Sequence, residues 1–268
     1  MGDAFKQVSE QLGELVESFF TTPIFGDKNV GFTVTTFWFF IALIMMLVAV
    51  FTYLKKMKGT LIPHGAYANG FEFIIDFIKD DICKGTLGDT WRKHFPFIAT
   101  VFFVVMFGDF IGMLPFWKAG TGTMGITCSV AVMSFVYFIY VGMRAKGVFG
   151  YIKSLAPAGL PAPLAVLVWV IEVFSTFLRL MTLSVRLFCN MFAGHVVMGV
   201  FAIMCTIFCT PITQGISALA IGEASMSILW MVLLILLYVV ELLVAFIQAY
   251  IFALLSAVYV QLAEAQEH

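Results

Sequence analysis

Two segments of this chain stay apolar for longer than any ordinary helix of a water-soluble domain. From Pro163 to Phe208, and again from Ala218 to Leu262, nearly every residue is aliphatic or aromatic. As straight helices these segments would measure roughly 65–70 Å at 1.5 Å per residue. A bilayer's hydrocarbon core is only about 30 Å thick. Each segment is therefore either a two-span hairpin or one helix lying strongly tilted in the membrane. No Gly/Pro/Asn turn cluster interrupts residues 164–192 or 223–262, which favours two long, slanted helices. The connection between them, CTPITQGISALAIGE, holds Pro211, Gly215 and Gly222 as its expected breakers.

Composition agrees with a lipid solvent. Of 268 residues, 62% are hydrophobic and 12% charged, against roughly 25% charged in a soluble domain. Such a chain cannot cover its surface with polar groups, so the expected fold class is an all-α integral membrane protein with about five membrane helices. Three shorter spans are read at 34–54, 97–117 and 124–143. Between the first two, residues 66–85 set Phe71, Phe73, Ile74, Phe77, Ile78 and Ile82 against Glu72, Asp76, Asp80 and Asp81 at helical spacing. That pattern predicts an amphipathic helix at the membrane surface. Residues 1–33 read as a polar N-terminal arm without the basic and apolar regions of a signal peptide. With no internal repeat or low-complexity linker, residues 1–268 read as a single membrane domain.

The loops following the first and third spans hold Lys55, Lys56, Lys58, Lys79, Lys84, Arg92 and Lys93, then Arg144, Lys146 and Lys153. The opposite side holds only Lys6, Lys28 and Lys118. Ten against three places the N-terminus outside and the C-terminus in the cytoplasm. The net charge of −1 leaves no basic face for a nucleic acid. The five cysteines form no CxxC pair; Cys205 and Cys209, one turn apart, read as small apolar side chains and not as metal ligands. The GTGTMG run at 120–125 matches a dinucleotide fingerprint in letters only. A membrane span follows it, no βαβ unit surrounds it, and it reads as a loop between spans. No cofactor is expected.

Charges inside the long segments carry the functional signal, because a charged side chain at the bilayer centre costs at least ~2.5–3.5 kcal/mol. Glu172, Arg179, Arg186 and Asn190 are spaced seven, seven and four residues apart and share one helical stripe. Glu172 and Arg179 can pair near the membrane surface. Arg186 has no carboxylate three or four residues away, so its counter-charge must come from another helix or another chain. Always protonated, it can act as a fixed positive gate. His195 lies nine residues beyond, on the opposite side and roughly 13 Å along the axis. On the second long segment Glu223, Glu241 and Gln248 again form a stripe. His195 and Glu241 are groups that exchange protons, and Asp109 in FGDFIGMLP is a further intramembrane carboxyl.

LSVRLFCNMFAGH (183–195) resembles the signature of the a subunit of F-type ATP synthases, and FIQAYIFALLSAVYV (246–260) resembles that family's second block. The resemblance covers nearly the whole chain after residue 30. It implies two strongly tilted helices curving around a ring of c subunits, and a stator role in passing protons to ring carboxylates. Residue by residue, it makes Arg186 the essential arginine facing the ring, with Asn190 one turn away and Gln248 near it on the neighbouring helix. His195 and Glu241 match an acid and a histidine position with their identities exchanged, which implies an outer proton pathway. Glu172 matches an acid on the cytoplasmic side. Cys189, Leu180 and Asp109 depart from the family pattern; Asp109 adds a titratable group where asparagine is more common. Implied partners are the c-ring, b-type peripheral stalk subunits and, indirectly, the F1 head, which carries the nucleotide chemistry; this chain is not expected to be an enzyme alone. A bacterial plasma membrane fits, and an organellar inner membrane is the alternative. Two rival readings are a secondary transporter, which would show inverted repeats and helices broken at the midplane, and a structural subunit of a respiratory complex, which leaves the cost of Arg186 and Glu241 unexplained.

Overall fold

A computed structural model of the chain describes residue 13 and residues 23–27, 30–57, 65–114, 120–154, 162–214 and 218–264. Lys6, Lys28, Lys58 and Lys118, the turn residue Gly215, and the C-terminal residues 265–268 lie outside the described residues, as does the side chain of Glu223.

A short strand pair lies within the stretch read as a polar arm. Strands β1 (Pro23–Asp27) and β2 (Val30–Thr33) pair antiparallel, with Asp27 opposite Val30 and Phe25 opposite Phe32. Ile24, Phe25, Val30, Phe32 and Thr33 favour extended backbone, and a run this short gives no periodicity from which to read a strand. The hairpin leads directly into helix α1 (Val34–Met57), which ends on Lys55 and Lys56, where cations suit the helix dipole.

Helix α2 (Ala66–Phe77) continues through a π-helical segment, Ile78–Lys84. Phe71, Ile78 and Ile82 are buried, while Asp76, Asp80 and Asp81 stay exposed, two of them paired with Lys79 (3.1 Å) and Lys84 (2.6 Å). Phe73 breaks the expected face at 74% exposure: two positions on from Phe71 turns a side chain about 200° around a helix. Gly88, at φ 55°, takes a left-handed conformation open to glycine and ends this stretch before α3 (Trp91–Gly112) begins.

Helix α3 runs through the interior, with Ile98, Phe102 and Asp109 fully enclosed. The glycine-rich run that follows includes a buried single turn at Gly120–Gly122. A Cβ on Gly120 would sit 2.7 Å from the Phe39 Cβ of α1, so glycine there permits a close approach and not phosphate binding. Helices α4 (Met124–Lys146) and α5 (Val148–Ser154) come next.

The two long segments are single helices: α6 (Ala162–Gln214, 53 residues) and α7 (Ala218–Glu264, 47 residues). At about 80 and 70 Å they exceed the membrane thickness more than twofold and must lie tilted within it. The turn between them is shorter than its breakers suggest. Pro211 falls inside the last turn of α6 and Gly222 inside the second turn of α7, leaving only residues 215–217 between the helices. In lipid a helix that keeps its remaining backbone bonds outweighs the ~1 kcal/mol preference against glycine.

Helix α7 packs on α6, α3 and α4. Ala245, Ala249, Ala253 and Ala257 recur every fourth residue and are fully buried, a small-residue ridge that lets neighbouring backbones approach closely. The Ser134 and Ser256 hydroxyls bond at 2.8 Å between α4 and α7. The opposite face of α7, including Val239, Leu243 and Ile247, is exposed and apolar. The chain is an all-α integral membrane protein, with five long apolar helices among the described residues and a small hairpin before the first.

Candidate functional site

Helix α6 separates its residues sharply by face. Leu180, Leu183, Ser184, Leu187 and Met191 are buried, whereas Met181, Val185, Arg186 and Cys189 are exposed. Arg186 thus projects from an apolar, outward-facing stripe of a membrane helix. Among the described residues it has no carboxylate at ion-pair distance and no hydrogen-bond acceptor. The stripe that the spacing joined is divided in two. Arg179 Nη2 donates to Glu172 Oε1 at 2.9 Å, and its guanidinium lies 5.5 Å from the Tyr259 ring centroid of α7. That pair satisfies itself; Arg186, two turns on, is left outside it.

A second group of polar residues gathers between α3, α6 and α7. Asp109 is completely buried, Thr121 is 1% exposed, and Glu241 is 9% exposed. Asp109, one turn before Met113, and Glu241, one turn before Ala245, flank a small apolar cluster in which Met113, Met191 and Ala245 pack together. Among the described residues neither oxygen of Asp109 accepts a hydrogen bond of good geometry, and the buried Thr121 hydroxyl makes none either. Glu241 Oε1 and Asn190 Nδ2 are also buried without a partner among the described residues. Four polar side chains enclosed in this way are expensive unless they exchange protons with, or hydrogen-bond to, something that enters.

The contact that holds this group runs through a residue the sequence did not single out. Glu241 lies against Gly194, and a Cβ built there would fall onto the carboxylate. His195, half-buried, follows directly on α6. Gln248, two turns beyond Glu241 on the same face of α7, is buried beside the alanine ridge. The structure therefore sets Asp109 and Glu241 at one helix junction and Gly194 against Glu241. It separates Arg186, on the outward stripe, from that group. Sequence reading also missed Thr121, Tyr259 and the pairing of His94 with Glu264. Gly194 carried one usable signal, a glycine inside an apolar helix next to a polar residue; the others required the fold.

The family model described as ATP synthase A chain matches residues 35–261. The chain belongs to that family. It is 31% identical over 244 residues to ATP synthase subunit a of Myxococcus xanthus, covering 91% of this chain and 76% of that one. Subunit a of Gluconacetobacter diazotrophicus is 36% identical over 216 residues, 81% and 82% of the two chains. That of Gluconobacter oxydans is 33% identical over 239 residues, 89% and 92%. As a member of this family the chain is a multi-pass membrane component of the Fo sector of an ATP synthase. Arg186, Asn190, His195, Glu241 and Gln248 all fall within the matched region.

Proposed function

We propose that this chain is the proton-conducting stator of its ATP synthase, with two offset half-channels separated by Arg186. The observation that supports this best is an exposed, uncompensated guanidinium on the outward apolar stripe of a tilted membrane helix. Such a charge calls for a partner that brings its own carboxylate, and a rotating c-ring presents one after another. In this reading protons enter from outside through the group formed by Asp109, Glu241, His195 and Asn190. They neutralise a ring carboxylate, which then turns through lipid. On its return the carboxylate meets Arg186, whose permanent charge favours the ionised form and releases the proton. The proton leaves by an inner route beside Glu172, where Arg179 holds the carboxylate in place. Gln248, buried on the neighbouring helix α7, is in this reading the glutamine of the proton pathway nearest Arg186.

The stator role implies further partners: b-type peripheral stalk subunits and, through them, the F1 head that carries the nucleotide sites. The distribution of Lys and Arg supports an external N-terminus and a cytoplasmic C-terminus in a bacterial plasma membrane.

Replacing Arg186 by Ala in the assembled complex tests the proposal. Proton-driven ATP synthesis in membrane vesicles should fall to background while assembly persists. Normal coupled synthesis by that variant would overturn the assignment. For the outer route, His195→Ala and Glu241→Ala should each reduce proton flux. Their double-mutant cycle should give a coupling of ~0.5–3 kcal/mol, and additive effects would show that the two do not share a path.

A further inference from the structure

At the end of the molecule away from the Asp109 group, a cavity of about 700 Å³ opens between the start of α3, the end of α4 and the end of α7. Its floor is polar and internally satisfied. His94, 4% exposed, lies 3.0 Å from the Tyr137 hydroxyl through Nδ1 and 3.0 Å from Glu264 Oε1 through Nε2. Thr90 donates its hydroxyl to the other Glu264 oxygen at 3.0 Å. The Glu264 carboxylate is thus engaged on both oxygens. The rim is different. Lys93 and Arg144 are both exposed, and among the described residues neither has a carboxylate at ion-pair distance; Arg144 reaches only the Tyr140 hydroxyl, at 3.3 Å. Among the described residues, two cations without an ion pair stand over a cavity whose one lining acid, Glu264, is already held.

What lies beside the cavity distinguishes a lipid from a free ion. From Arg144 an exposed stripe descends α4 through Tyr140, Val136 and Met133, at 52%, 58% and 62% exposure. Residues three or four apart share a helix face, so these side chains form one strip about 16 Å long. The cations are at its end and the aromatic Tyr140 at the junction, the arrangement of a headgroup above an acyl chain. An inorganic anion would use the rim and ignore the strip.

We propose that this corner is a binding site for one anionic phospholipid, its phosphate held by Lys93 and Arg144 and an acyl chain laid along Tyr140, Val136 and Met133. The site is independent of the proton route proposed above. Native mass spectrometry of the full-length chain, released from detergent in the presence of phosphatidylglycerol or phosphatidylcholine, tests it. One phosphatidylglycerol should be retained under conditions that strip phosphatidylcholine. The Lys93→Ala/Arg144→Ala double variant should bind it about thirty-fold more weakly, and Arg144→Lys should keep most of the binding. Equal retention of the two lipids by the unaltered chain would overturn the proposal without reference to any variant. So would full phosphatidylglycerol binding by the double variant. Displacement of the lipid by millimolar inorganic phosphate would assign the cations to a free anion and overturn the lipid reading.

Discussion

Gly194 and Glu241 show how one missing side chain shapes the site. In an ordinary helix interior Gly→Ala gains up to ~1 kcal/mol. Here the added methyl would fall onto the Glu241 carboxylate, so Gly194→Ala should instead destabilise by ~1–3 kcal/mol. Thermal unfolding of the purified chain checks the sign, and shortening the partner in Gly194→Ala/Glu241→Ser should restore most of the loss. His94 makes a comparable case at the other end. Its ring joins Tyr137 to Glu264, so His94→Ala removes one partner from each and should cost ~1–3 kcal/mol. The same melting experiment reads it, and an unchanged midpoint would show that the bridge adds nothing to stability. At this scale the sequence made Arg186, Glu241 and Asp109 visible through the cost of polar groups in an apolar run. It left Gly194, Thr121 and His94 unread, because a small or ordinary residue becomes significant only through what the fold sets against it.

Among the elements, α7 is the most demanding. Its fully buried alanines at 245, 249, 253 and 257 let three neighbouring helices approach. Ala253→Leu should therefore overpack, at a cost of ~1–3 kcal/mol, measured as a lowered unfolding midpoint and reduced yield of assembled complex. The Ser134–Ser256 bond is a gentler feature: a double-alanine cycle should give about 0.6 kcal/mol, as interhelical hydrogen bonds in lipid typically do. The existence of both long helices was legible from apolar length alone. Their ends were not. Pro211 and Gly222 look like breakers in the sequence, yet each lies inside a helix, because leaving backbone groups unpaired in lipid is worse than accommodating either residue. The hairpin at 23–33 was equally hidden, since four or five residues give no period to count.

Across the whole molecule, the outward faces of α6 and α7 are mostly apolar, with Arg186 the charge exposed on the stripe of Met181, Val185 and Cys189, so most of this surface suits lipid. Cys189, one turn from Arg186 on the exposed stripe, reports whether that stripe is covered. A membrane-permeant maleimide should label Cys189 in the isolated chain and fail to label it in the intact complex, if the ring covers that stripe. Cys83, fully buried, should resist labelling in both. Equal labelling of Cys189 in the two states would place the ring elsewhere.

The sequence by itself determined the solvent, the number of long helices, their required tilt and the absence of a carboxylate within one helical turn of Arg186. All four follow from local quantities: apolar length against bilayer thickness, and the cost of an ionised group within it. Only the tertiary structure decided which charges answer one another. It paired Arg179 with Glu172 and left Arg186 facing outward. It set Asp109 of α3 and Glu241 of α7 at one helix junction, around Met113, Met191 and Ala245, and joined His94 to Glu264 across 170 residues of chain. Spacing along a helix fixes direction about one axis, whereas contacts between helices depend on how several axes cross, and that is decided by the packing of every residue between them.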